Sequence, residues 1–288
     1  TDRVSAGIDT EGANNFSVTN SVFIGNREGA IFSSKNRYFC CLNCVLIDNG
    51  HRTIYISKGE KSIIKNCVIK NGTTNYGGGL HVKNCKMISI ANSYFLINSA
   101  TGAGGGVFSK NVNKHIFIKT VFSGNQAFNG GCIYVTESGF SITITSSFFI
   151  KNFAHDKGGC LCFKMTNEVS KTKLTVNHTY FLNNMAKVKG TVIYTDGLNQ
   201  IYFNLIKISS TAKIFASTTF LNVHCTKVEF NRIHFTNLLK HVDVVDIYID
   251  STAIIKNTSF SCLGPTYIRE MISLQNSKTA VQIWYKCH

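Results

Sequence analysis

The 288-residue sequence predicts an all-β fold, a parallel β-helix whose coils stack as a solenoid. Three observations predict it. One phrase recurs: an aromatic or aliphatic residue, then Asn, a short polar turn, a glycine pair and a strand. The Asn-to-Asn steps run from roughly 22 to 32 residues, several of them 27. That period marks a repeat that buries its core only by stacking on its neighbours. The glycine pairs are the second observation, because interior Gly costs a helical repeat about 1 kcal/mol each. The third is the strand pattern: Asn66-Cys-Val-Ile-Lys70, Ser141-Ile-Thr-Ile-Thr145 and Lys173-Leu-Thr-Val-Asn177 are rich in β-branched residues, and several alternate apolar with polar.

In chain order, the copies begin with Phe23…Asn26 and Gly29-Ala-Ile-Phe32. Leu46…Asn49 leads to Thr53-Ile-Tyr-Ile56, and Val68…Asn71 to Gly77-Gly78-Gly-Leu80. Phe95…Asn98 precedes Gly104-Gly105-Gly-Val107, and Phe122…Asn125 precedes Gly130-Gly131-Cys-Ile-Tyr134. Phe149…Asn152 with Gly158-Gly159-Cys-Leu161, then Phe181…Asn184 with Gly190-Thr-Val-Ile-Tyr194, complete the clear copies. About 25 residues suit one coil of three short strands plus turns. At about 4.8 Å per coil, ten to eleven coils make a rod roughly 50 Å long. Equivalent residues then lie above one another. The seven asparagines are expected to form a ladder of side-chain amides, the phenylalanines an internal stack, and the glycines the coil corners. A residue present in seven copies reads as structural, since one active site needs one copy.

The Phe-x-x-Asn element followed by Gly-Gly-(Ala/Cys)-Ile resembles the repeats of chlamydial polymorphic outer membrane proteins, over roughly residues 16–195. Related repeats occur in large protist surface proteins. The resemblance implies a right-handed parallel β-helix of the pectin-lyase-like type, and adhesin-like, surface-exposed domains rather than enzymes. The chain departs from that pattern at Gly29-Ala30, Thr53 and Gly190-Thr191, carries only degraded copies in its last third, and shows no autotransporter barrel.

A single domain is expected, with regular repeats over 1–195 and irregular coils of the same solenoid over 196–288. Leu205-Ile-Lys-Ile208, Phe235-Thr-Asn237 and Thr258-Ser-Phe260 fall about where further copies belong. Open coil ends are adhesive strand edges, so the sequence reads as a segment of a longer chain or one docked on a partner. No apolar run approaches the roughly 18–20 residues of a membrane span.

The net charge is +15, from 30 Lys+Arg against 15 Asp+Glu. It favours acidic partners. The lysines are scattered, at Lys58, Lys61, Lys65 and Lys70, at Lys110, Lys114 and Lys119, and at Lys187 and Lys189. The aromatics between them are assigned to core slots, so a stacking platform for nucleic acid is disfavoured.

Eleven cysteines are present. Cys44 and Cys67 share one slot in consecutive units, as do Cys132 and Cys160, while Ser93, Thr120 and Ser147 fill the first slot elsewhere. They read as small residues in packed positions. Cys40-Cys41…Cys44 has the look of half a zinc site. It lacks a second Cys/His pair at finger spacing, although Cys67 could approach in three dimensions. No metal or cofactor is expected. Sequons at Asn15, Asn71, Asn177 and Asn257 are no more than composition supplies, and Asn71 is expected to be buried in the ladder.

Polysaccharide lyases and hydrolases on this fold need clustered carboxylates. Asp48, Asp156 and Asp196 are isolated, and the one cluster is Asp243, Asp246 and Asp250, with Asp246 and Asp250 on one strand face. No Asn-Thr-Asp, Asp-Asp or Gly-His-Gly element accompanies it, Arg is scarce, and the lysines read as unpaired. His155-Asp156 and His224-Cys225 are ordinary neighbours in a chain with nine histidines. Gly77-Gly-Gly79 and Gly104-Gly-Gly106 lack the Lys-Ser/Thr of a phosphate loop. The expected function is a non-catalytic rod, a structural scaffold or adhesin-like protein-interaction module, placed at a cell surface or in an intracellular assembly. The alternatives are a polysaccharide-active or glycan-binding β-helix and a trimeric viral fibre or tailspike.

Overall fold

A computed structural model describes residues 6–137, 141–165, 172–210, 219, 221–238, 245–262, 272–275 and 281–287, with side chains described to 236 and again over 254–259. Every regular element among them is a strand. All strand pairings are parallel, and the chain winds as a β-helix. The first ladder starts with Ile8–Glu11, Ile31–Ser34 and Ile54–Ser57. It continues through Leu80–Ala91, Val107–Ile118, Ile133–Thr136, Leu161–Lys164 and Ile193–Ser209. These make eight clear turns against the ten to eleven coils expected. Long strands from Leu221 and Val245 and the short strand Ile272–Gln275 carry the ladder on. A second ladder begins at Asn15–Thr19 and Tyr38–Leu42, and a third at Val22–Ile24 and Val45–Ile47. Register places Phe181, Ile208, Phe235 and Phe260 in one column, so the degraded copies do continue the stack.

Strand alternation sends one set of side chains inward. The third ladder contributes the internal stack: Phe95, Phe122, Phe149 and Phe181, with successive ring centroids 5.0 Å apart. Phe23 stands in the same column but does not join that stack, because Leu46 and Ile69 occupy the two turns between. At each corner beside the stack lies a buried asparagine. Asn125 donates from Nδ2 to Asn152 Oδ1 at 3.0 Å and to the Phe95 carbonyl at 2.9 Å. Its own Oδ1 accepts the Asn98 amide and Asn98 Nδ2, each at 3.0 Å. Asn152 bonds Asn184 in the same way, and Asn26 bonds Asn49.

Asn71 is a correction. Ile69, not Val68, stacks on Leu46 and Phe95, so the ladder position is Gly72, whose amide donates to Asn98 Oδ1 at 2.9 Å. Asn71 sits one residue earlier, half-buried at φ 55°, and bonds Asp48 Oδ1 at 2.8 Å. Its sequon therefore lies at the surface. Thr53 fills the room a ladder asparagine would use. A Cβ on Gly72 would come within 2.3 Å of Thr53 Oγ1 and 2.1 Å of the Gly78 carbonyl.

The paired glycines divide two tasks. Gly130 turns the chain at φ 62°, in the left-handed region that disfavours other residues. Gly131 needs no such angle, but a Cβ there would lie 2.2 Å from the Gly159 carbonyl of the next turn. Gly77, Gly104 and Gly158 match the first role, and Gly78, Gly105 and Gly159 the second. Gly131→Ala should destabilise by about 1–3 kcal/mol through overpacking, read as a lower midpoint in urea.

A second asparagine system escaped the sequence reading. Asn20, Asn43 and Asn66 take positive φ at an outer corner and bond in series, at 3.1 and 3.0 Å. Asn204, Asn231 and Asn257 also bond in series at the far end, at 3.1 Å each, although there the positive φ falls on Leu205, Arg232 and Asn257. Asparagine tolerates this backbone region better than most residues, and stacking then aligns the amides.

Candidate binding groove

The residues that alternate with the core positions of the first ladder face outward. They are Phe32, Tyr55, His81, Phe108, Tyr134, Cys162 and Tyr194. The aromatics of this column are not core residues, which corrects the expectation above. They form a continuous outer stack. Phe32 lies 4.6 Å from Tyr55, Tyr55 5.2 Å from His81, His81 4.8 Å from Phe108, and Phe108 5.7 Å from Tyr134. The signal was available in Ile-Tyr-Ile and Ile-Tyr-Val: a residue flanked by two inward aliphatics points out.

Turn length builds the wall beside this floor. The first two turns advance by 23 residues, as in Ile8↔Ile31 and Ile31↔Ile54. Later turns are longer, and the added residues form a short ladder of their own, from Thr73–Tyr76 through Ser99–Ala103 to Met185–Ala186. Against this wall runs a groove of about 630 Å³ lined by Tyr76, His81, Lys83, Phe108, Lys110 and Tyr134. Below the first long turn the wall stops and leaves a notch of about 720 Å³ lined by Phe32, Tyr55, Arg52, Lys35, Lys58 and Glu28, among others.

The groove is basic and aromatic. The Arg52 guanidinium lies 4.9 Å over the Tyr55 ring, and Lys83 Nζ lies 5.5 Å from the same ring. Lys157 covers Tyr194 at 5.1 Å. Such contacts fix cations over ring faces. Burial, then the charge of Arg52, lowers the His81 pKa to about 4, so the ring is neutral at pH 7. Its Nδ1 stands 3.2 Å from the Tyr76 carbonyl, which the N–H of the neutral tautomer satisfies. Burial also raises the Tyr134 phenol to about 12, leaving it a hydrogen-bonding group.

Carboxylates are held by bases of neighbouring turns, so three lysines, Lys35, Lys86 and Lys110, are paired with acids against the reading from sequence. Lys35 bonds Glu11 at 2.6 Å, Lys86 and Arg37 bond Glu60 at 2.9 and 3.0 Å, and Lys110 bonds Glu137 at 3.0 Å. Lys86 and Arg37 hold the Glu60 carboxyl below its ordinary range. The one group of three or more His, Cys, Asp and Glu side chains converging as metal ligands among the described residues is Cys41, Cys44 and Cys67. Among the described residues no acid lines the groove, whereas Asp9, Glu11 and Glu28 line the notch, where Glu11 pairs with Lys35 and Glu28 stands 3.4 Å from His51.

The suspected dyads do not form. His155 packs edge-on to Phe153 at 4.7 Å. His224 faces outward, 3.3 Å from Asp196 Oδ1 on the adjacent turn, whereas Cys225 points into the core. Asp243 and the side chains of Asp246 and Asp250 lie outside the described residues. Sequence reasoning missed a Ser–His contact, Ser109 Oγ to His115 Nε2 at 2.7 Å. Both residues are enclosed, so no substrate reaches them. Among the described residues no helix is long and apolar enough to cross a membrane. In comparisons with known proteins, no family model matches the chain, and no curated protein or solved structure matches it significantly.

Proposed function

We propose that the chain is a non-catalytic β-helix rod whose outer groove docks acidic partner proteins, as a structural scaffold or adhesin-like module. The observation that carries this reading is the groove itself. An aromatic floor is bordered by Lys83 and by Lys110, the latter paired with Glu137 of the next turn, and among the described residues no carboxylate lines the groove itself. Aromatic anchors with a basic border suit acidic protein segments. The net charge of +15 acts in the same direction by steering such partners inward. The likeness of the repeats to polymorphic outer membrane proteins, with their pectin-lyase-like helix, supports an adhesin-like setting. An assembly inside a cell would use the same surface.

The aromatic floor also favours a second reading, a glycan laid along rings about 5 Å apart. Calorimetry with polyglutamate at low salt separates the two. The parent protein should bind, and Lys83→Glu/Lys110→Glu should bind at least about tenfold more weakly. Binding unaffected by that charge reversal would remove the groove from the proposal. Preferential binding of uronate oligosaccharides would establish the second reading, and their cleavage would overturn the non-catalytic one.

A further inference from the structure

Three sulfurs meet inside the solenoid between the second and third turns. Cys41, Cys44 and Cys67 are fully buried, and their Sγ atoms all lie within 4.8 Å of one another. Cys41 and Cys67 are closest, at 3.8 Å. Cys40, its strand neighbour, faces the other way and takes no part, which corrects the half-site read from Cys40-Cys41…Cys44.

The columns show how unusual this meeting is within the chain. The position of Cys41 is filled in other turns by Val18, Ile64, Ile90, Phe117, Ile144 and Val176. Among the described residues, only Cys41 breaks the run of larger apolar side chains in that column. Cys44 and Cys67 occupy a column that carries Ser or Thr at Ser21, Ser93, Thr120, Ser147 and Thr179, and isoleucine at Ile206 and Ile233. Each of those hydroxyls donates to the carbonyl two residues back. The thiols of Cys44 and Cys67 do likewise, to Leu42 and Lys65 at 3.2 Å each. Three departures from three column entries therefore converge on one point, and each exchanges another side chain for sulfur.

We propose that Cys41, Cys44 and Cys67 form a buried three-sulfur site for copper(I). A metal–sulfur bond of about 2.3 Å sets two sulfurs of a trigonal site about 4.0 Å apart. The Sγ atoms already stand near that spacing. Soft thiolate ligands select copper(I), and three ligands without a fourth suit it better than tetrahedral zinc. Binding forms three copper–sulfur bonds. The three thiols release their protons to solvent as they coordinate, with no change of oxidation state. Of the carbonyls that lose S–H contacts, the two nearest stay paired: Leu42 accepts the Asn20 amide and Lys65 the Asn43 amide, both at 3.0 Å. Because the sulfurs are enclosed, the ion enters as the coils close during folding.

The test uses the reduced full chain, refolded without oxygen with one equivalent of copper(I), then challenged with a copper(I) chelator. The expected result is one copper retained per chain, with X-ray absorption showing three sulfur neighbours. Cys41→Val and Cys67→Ser restore residues that neighbouring turns carry, so folding should survive. Each should lose retention by at least about tenfold. Cys132→Ser should keep it. Retention by Cys41→Val, no retention by the parent, retention of zinc(II) in preference to copper(I), or a Cys41–Cys67 disulfide in the protein isolated from its source would each overturn the proposal.

Discussion

Replacing Asn125 by alanine is expected to lower the unfolding free energy by about 3 kcal/mol, the upper end of what one unpaired buried polar group costs. The truncation strands several groups at once. The Asn98 amide loses its acceptor, the Phe95 carbonyl loses its donor, and Asn152 Oδ1 loses one of its two partners. Water cannot replace them, because Asn98, Asn125 and Asn152 are all enclosed. Asn71→Ala is the matched comparison. It removes one half-exposed bond to Asp48 and should cost well under about 1 kcal/mol. Urea unfolding of both variants beside the parent checks the pair. Equal midpoints for the two variants would show that the buried amides do not act as a ladder.

The second large effect is acid destabilisation. Burial lowers the His115 pKa to about 3, and burial with Arg52 lowers that of His81 to about 4. In the unfolded chain both titrate near 6.5. As pH falls below that value the unfolded state takes up protons that the folded state refuses, so stability is full above about pH 6.5. It is lost at up to about 1.4 kcal/mol per pH unit for each ring, until the folded pKa is reached. His115 occupies a column filled by Ile88 and Ile142 on the adjacent turns, and Ser109 one filled by Val82 and Val135. The double variant Ser109→Val/His115→Ile should therefore fold, and should lose much of the slope between pH 6.5 and 3. Thermal melts across that range decide it, and parallel curves for parent and variant would remove His115 as the cause.

Most of the frame was legible in the sequence because stacking multiplies its own signal. One Phe-x-x-Asn is weak, but repetition at a nearly fixed step leaves only a stacked coil. The errors fell where the repeat is imperfect. Asn71 reads as a ladder residue because it stands beside Gly72, and only strand register distinguishes the two positions. The outer aromatic column was placed in the core because hydrophobicity alone does not say which side of a strand a residue faces, while alternation with Ile54 and Ile56 does. Neither the wall nor the notch was legible. They follow from which turns are longer at one corner, and from how those additions pair with each other. The thiol cluster joins Cys41 and Cys44 to Cys67, 26 and 23 positions on, an approach the sequence allows but only the closed turns bring about.

The gap at Gly72 bears on how the chain finds its alignment. A rod of near-identical turns can close with one turn skipped or slid, and such misassembly is a known hazard of repeat architectures. The amide ladder does little to prevent it, since any asparagine fits against any other. Gly72 and Thr53 fit each other and little else: an asparagine brought to Gly72 would collide with Thr53 and the Gly78 carbonyl. This single mismatch works as a key in a row of interchangeable teeth. It penalises a slipped alignment at this one turn, while the lengths of the turns decide where the wall begins and the notch opens.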